Sequence, residues 1–119
     1  MGNDGPAAPP AYPASYAGVV AVTGVDGRNR VLIEAGRALH LDYAAPGANI
    51  LARNKSGKWS EVRGTSYAVP LVAARAAAAL DEGGNWRARL DREAEDLGPR
   101  GPDERFGRGL LCRDCVRTN

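Results

Sequence analysis

A continuous, β-branched run, Gly18-Val19-Val20-Ala21-Val22-Thr23-Gly24-Val25-Asp26, ends at the turn-forming Asp26-Gly27-Arg28-Asn29. A run without polar alternation predicts a strand buried on both faces, and such strands belong to parallel sheets covered by helices. Two more short extended stretches are expected over 30–34 and 38–43. Ala44-Ala45-Pro46-Gly47-Ala48 then breaks the pattern, Asn49-Ile50-Leu51-Ala52 resumes it, and Asn54-Lys55-Ser56-Gly57-Lys58 reads as an exposed polar turn.

The period changes near residue 65. From Thr65 or Ser66 to Leu80 the chain is a strong helix former, with Val69, Val72, Ala73, Ala76, Ala77 and Leu80 expected along the buried face and a hydroxyl residue as cap. Pro70 lies about one turn in, where it is tolerated or kinks the helix slightly. Gly83-Gly84 stops this helix, and 86–97 reads as a second one whose interleaved Arg and Glu form a solvated face. Residues 2–17 have no period and read as an irregular loop with the look of a binding surface; 98–109 is a second loop, and 110–117 is too short to assign. There is no internal repeat. The pattern gives an α/β fold class.

Composition fits one globular domain over 1–119, with 44% hydrophobic and 25% charged residues. Only 6% of the chain is aromatic and much of the apolar content is Ala, so the core is modest and stability in isolation is in doubt. The 16 basic and 14 acidic residues are interspersed, without a basic stripe, so no nucleic-acid partner is expected. No apolar run approaches the ~20 residues that cross a bilayer, and residues 1–6 lack the features of a signal peptide, so no membrane partner is expected either.

Cys112 and Cys115 have a spacing shared by redox motifs, half zinc sites and short-loop disulfides. Two ligands do not complete a zinc site, and the single histidine, His40, is remote in sequence. A small disulfide or two free thiols is the expectation, with no metal. The flanking Arg113 and Asp114 create no clear electropositive setting for a redox protein.

The candidate chemistry lies in Gly64-Thr65-Ser66-Tyr67-Ala68-Val69-Pro70. A serine at a helix N-terminus has a rigid mount and a free backbone N–H beside it, which suits a nucleophile, and the same position suits a plain helix cap. Gly64 permits close approach of another backbone, Thr65 offers a second hydroxyl, and the small Ala68, Ala73 and Ala74 allow close packing on a sheet.

This segment resembles the serine motif of the subtilisin-like proteases, Gly-Thr-Ser-x-Ala-x-Pro at the start of an Ala-rich helix. Other segments agree in order: Asn3-Asp4-Gly5 is similar to the family's Gly-Asn-x-Gly, and 12–22 to its Tyr-Pro-Ala-x-Tyr-x-x-Val-Ile-Ala-Val strand. Leu41-Asp42-Tyr43-Ala44-Ala45-Pro46-Gly47 is similar to its Leu-Asp-x-x-Ala-Pro-Gly, and 106–111 to its terminal Tyr-Gly-x-Gly element.

The resemblance implies a partial subtilisin-like fold, with parallel strands and a long central helix starting at the nucleophile Ser66. It implies an oxyanion hole from the Asn3 amide and the Ser66 N–H, with Thr65 as a supporting hydroxyl. Asp4, Gly5, Ala11 and Tyr12 would line or rim the pocket for the residue before the scissile bond, with a broad, apolar preference. The Tyr12-Pro13 bond would be cis, and Asp42 could hold a weak structural cation; no other cofactor is implied. Tyr67, Leu71 and Ala74 replace the commoner Met, His and Gly, and Tyr67 would press on the adjacent loop or pocket.

In the family the catalytic Asp and His precede the oxyanion Asn, here residue 3. The expected reading is therefore the C-terminal part of a serine endopeptidase, inactive by itself, with peptide substrates, a secreted or periplasmic parent, and the N-terminal part of the domain as partner. An open sheet edge where that part would pair makes self-association the further expectation. His40 lies outside the family's triad positions and is expected to be an ordinary loop or strand histidine. The alternative is a non-catalytic peptide-binding or folding module that uses 3–16 to hold peptides.

Overall fold

The computed structural model describes residues 1–116, so the end of the short segment 110–117, at Arg117, lies outside the described residues. Six elements follow in order: β1 (Val22–Val25), β2 (Tyr43–Pro46), β3 (Ile50–Arg53), β4 (Trp59–Val62), α1 (Thr65–Asp81) and α2 (Trp86–Glu93). β1 and β2 pair in parallel, with Val22 opposite Tyr43 and Val25 opposite Pro46. All eight of their residues are buried, which is why the run carries no polar alternation.

α1 lies on one face of this pair. There Val22, Tyr43 and Ala45 meet Ala68 and Val72, with Leu90 of α2 and Leu111 closing the cluster. On the opposite face Val25 and Ala44 pack with Phe106 and Leu110. The segment through Leu110 and Leu111 runs beside β2, with Leu111 N–H donating to the Ala44 carbonyl (2.8 Å) and Ala44 N–H to that of Gly109 (2.9 Å). Along β1, the Met1 nitrogen donates to the Val22 carbonyl (2.9 Å).

Several elements differ from the sequence expectation. The first strand is shorter than 18–26, because Val19 folds back in a turn onto the Tyr16 carbonyl (3.2 Å). Residues 30–34 make a single bridge, Val31 to Val25, before Ala35 turns onto the Leu32 carbonyl (2.9 Å). Of 38–43 only Tyr43 is strand, since Leu41 closes a turn on Ala38. The expected break at 44–48 is instead the body of β2: Pro46 ends the strand, where its missing N–H costs no ladder bond, and Gly47 N–H takes up the Val25 carbonyl (2.8 Å). β4 had no counterpart in the sequence reading; it forms because the Asn54–Lys58 turn returns the chain antiparallel to β3, with Arg53 opposite Trp59.

α1 runs unbroken through Pro70. Its buried residues are Thr65, Ala68, Val72 and Ala79, whereas Val69, Ala73, Ala77 and Leu80 of the expected face are exposed, as is Ala74. The helix is apolar around most of its circumference, so periodicity does not define a unique inward face. α2 stops at Glu93 rather than 97, because Glu95 leaves the helix to bridge Leu110 in both directions (3.0 and 2.8 Å). Its Asn85 cap accepts from Ala88 N–H (3.1 Å).

The charges of α2 are not all a solvated face. Arg87 reaches Asp42 (3.1 Å), Glu93 pairs with Arg75 of α1 (2.7 Å), and Asp91 accepts from the fully buried Tyr43 hydroxyl (2.5 Å). Burial, then the Asp91 carboxylate, push the Tyr43 phenol well above its ordinary value. Cys112 and Cys115 form a disulfide.

Candidate active site

The site is built where α1 begins. Gly64 N–H donates to the Gly47 carbonyl (2.8 Å), and an added Cβ at Gly47 would lie 2.9 Å from the Gly24 Cα and 3.0 Å from the Gly64 oxygen. Backbones therefore approach as only glycine allows, and the first turn of α1 is seated against the ends of β1 and β2. Gly64 itself, at φ 142°, is the N-cap and has no side chain to cap with.

The capping group comes from elsewhere in the chain. Asn3 Oδ1 accepts from Thr65 N–H (3.0 Å) across 62 positions of sequence, and the Thr65 hydroxyl donates to the Gly2 carbonyl (3.4 Å). With its Oδ1 spent on the helix, Asn3 keeps its Nδ2 donors without a protein acceptor among the described residues. Ser66 is exposed and does not act as the cap. Its N–H, in the first turn, has no helical acceptor, and the partial positive charge of the helix start is concentrated there.

A cleft of about 320 Å³ opens in front of these groups, and Asn3, Ala11, Tyr12, Thr65 and Ser66 line it with Val69. Of the other site residues read from sequence, Gly64 is buried behind Asn3, with an ideal Cβ 3.7 Å from Asn3 Oδ1. Asp4 is exposed and Gly5 donates to the Glu34 carbonyl (2.8 Å); neither lines the cleft. Met1, Gly2, Pro13, Ala14, Val19, Val20 and Val22 also line it; Pro13 and Ala14 fall within the 3–16 segment read as a peptide-holding surface, whereas Val19, Val20 and Val22 carry only the apolar signal of a strand. The Tyr12-Pro13 bond is cis, and the rings of Tyr12 and Tyr16 pack at 4.8 Å on the rim.

The electrostatics around this site come from pairs that brace it. Arg63, the residue before Gly64, binds Glu34 through two hydrogen bonds (2.7 and 2.9 Å), tying the helix start to the loop that holds Gly5. The Arg63 guanidinium holds the Glu34 carboxyl below its ordinary value. Asp42 accepts from Ala21 N–H (2.8 Å) and from Arg87 (3.1 Å), so both of its oxygens have donors. His40 contacts the Ser15 hydroxyl (3.2 Å) and does not line the cleft. A separate cavity of about 430 Å³, between Asp26, Asn29, Pro46 and Arg113, contains none of the groups around Ser66.

The strand ends of the parallel pair thus seat the N-terminus of a long helix, with an exposed serine in its first turn and an asparagine amide beside it. Comparison with known proteins gives the family: residues 1–109 match the subtilase family (Peptidase_S8), and the chain belongs to it. The minor extracellular protease Epr of Bacillus subtilis is 32% identical over 92% of this chain and 18% of its own length. Subtilisin of Bacillus pumilus is also 32% identical over 92% of this chain, which corresponds to 41% of that protein.

Among solved structures, a lanthipeptide protease superposes with a TM-score of 0.77 over 86% of this chain and 42% of its own, at 22% identity. Fervidolysin from Fervidobacterium pennivorans, a keratinolytic enzyme related to subtilisin, gives 0.74 over 87% and 19%, at 27% identity. The fold is thus a partial subtilisin-like α/β fold. The chain spans about a fifth to two fifths of the length of these relatives.

Proposed function

We propose that this chain is the nucleophile-bearing, C-terminal part of a subtilisin-like serine endopeptidase. Ser66 attacks the scissile carbonyl, and the Asn3 amide with the Ser66 N–H donates to the oxyanion that develops. The observation that carries the reading is the Asn3 carboxamide fastened by Oδ1 to the helix start, which leaves its Nδ2 donors free beside the equally free N–H of Ser66. Thr65 holds Gly2 and thereby keeps Asn3 in place.

Ala11 and Tyr12 form the wall that receives an apolar side chain of the substrate. Proton transfer from Ser66 requires a base, and His40 is engaged with Ser15. The Asp and His therefore come from the part of the domain that lies outside this chain, and the exposed apolar face of α1, Val69, Ala73, Ala77 and Leu80, is where that part packs. By itself the chain is inactive. The parent is secreted, in keeping with the extracellular relative.

The test uses a fluorophosphonate that labels activated serines and an apolar peptide amide as substrate. The parent polypeptide is expected to be labelled at Ser66 and to turn over the amide; Ser66→Ala loses both, and the chain alone shows neither. Equal turnover by the parent and its Ser66→Ala form overturns the reading and favours a non-catalytic peptide-holding module.

A further inference from the structure

Among the described residues seven arginines are held in ion pairs: Arg30, Arg63, Arg75, Arg87, Arg89, Arg108 and Arg113. Unpaired arginines also occur elsewhere, at Arg28, Arg37, Arg92, Arg100 and Arg105; what sets the tip of the β3–β4 hairpin apart is a cluster of such cations beside an exposed indole. Arg53, Lys55 and Lys58 have no carboxylate partner among the described residues, and Lys55 and Lys58 are the only lysines in the chain. All seven residues 53–59 are exposed, so the tip is convex.

Within this cationic tip stands Trp59, 63% exposed. The Arg53 guanidinium lies over its ring at 5.0 Å and donates to the Gly57 carbonyl (2.9 Å), which fixes ring and charge together. Asn54 orders the rest of the turn: its Oδ1 accepts from Ser56 N–H (2.9 Å) and Lys58 N–H (3.1 Å). A nearby carboxylate, Glu61, two residues beyond Trp59 on β4, accepts from Asn49 Nδ2 (3.1 Å) and leaves the tip with a net positive charge.

We propose that this hairpin tip docks on the surface of an anionic lipid bilayer. A convex tip offers no concave pocket for a peptide, and it meets a flat, diffusely negative surface well. An amphipathic indole belongs at the boundary between headgroups and acyl chains. Lysines on flexible stems add attraction to acidic headgroups, each worth about a factor of five in partitioning. The contact is peripheral, since no helix of the described residues is long and apolar enough to cross a membrane. It revises the expectation of no membrane partner for the bilayer surface alone, and it is independent of the chemistry at Ser66.

The experiment uses the whole chain carrying Trp86→Phe, so that Trp59 alone fluoresces, mixed with equimolar phosphatidylglycerol–phosphatidylcholine vesicles or pure phosphatidylcholine vesicles at low salt. Cosedimentation with the anionic vesicles and a blue-shifted Trp59 emission are expected, with release at about 0.5 M NaCl as charge is screened. Lys55→Ala with Lys58→Ala is expected to lower the partition coefficient about 30-fold, and Trp59→Ala several-fold. These substitutions lie on an exposed turn, so folding persists and is checked by circular dichroism.

Absence of cosedimentation, equal binding to both vesicle types, or an unchanged coefficient in the double lysine variant overturns the proposal. Binding to polyglutamate without binding to anionic vesicles also overturns it, in favour of an acidic polypeptide.

Discussion

The two faces of α1 are built from nearly the same residue types and meet opposite fates. One face, Ala68, Val72 and Ala79, is sealed against β1, β2 and α2. The other, Val69, Ala73, Ala77 and Leu80, stands in solvent, with Val69 45% and Leu80 57% exposed. Under the proposed function this exposed apolar stripe is the surface that the rest of the domain covers. Burial in this helix therefore follows from what is available to cover it and not from composition, which fits a chain spanning a minor part of its relatives' length.

The difference can be broken by truncation. Leu90→Ala, under the sealed face, is expected to cost about 2–5 kcal/mol of unfolding free energy, enough to threaten folding of a domain with so small a core. Val72→Ala, on the same face, is expected to cost about 2 kcal/mol, whereas Val69→Ala on the open face stays within about 0.5 kcal/mol. Urea titrations followed by circular dichroism measure each. Comparable losses for Val69→Ala and Val72→Ala would show that the open face is covered in solution, by self-association or otherwise.

Polar ties sharpen the same contrast. Tyr43→Phe leaves Asp91 without its buried donor and is expected to cost about 1–3 kcal/mol. Because the folded-state value of Tyr43 is raised, its contribution is complete below the ordinary phenol range, near pH 10, and declines as pH rises beyond it. Stability is thus expected to fall in strong alkali, less so for Tyr43→Phe, as followed by alkaline unfolding curves.

Of these polar ties the smaller effect belongs to the half-exposed Glu34–Arg63 pair, where Glu34→Gln is expected to cost at most about 1 kcal/mol. The depressed Glu34 value means that this contribution is present above the ordinary carboxylate range and is lost as pH falls through and below it. Denaturation midpoints of the two proteins at pH 7 and in acid check the sign.

The chemistry-bearing elements were legible because they are local. Gly64-Thr65-Ser66 before a small-residue helix states its geometry in adjacent residues, and the β-branched run at 18–26 contains β1. The long helix was equally readable, with Pro70 left as either tolerated or kinking it; the helix runs on through Pro70. Element boundaries were not, because they are decided by partners distant in sequence: Leu110 ends α2 at Glu93 by pairing with Glu95, and Leu111 with Gly109 lends β2 its outer neighbour.

What the sequence determined by itself is thus the mount of Ser66 at a helix start, the α/β class and the family to which these motifs belong. Tertiary structure decided which side of α1 is buried, since an Ala- and Val-rich helix has no single apolar face until a sheet is placed against it. It also decided that Asn3, 62 positions away, caps the helix of Ser66 in place of that serine. A hydrogen bond across such a separation leaves no periodic trace in the chain and exists only once Gly24, Gly47 and Gly64 let the backbones close on one another.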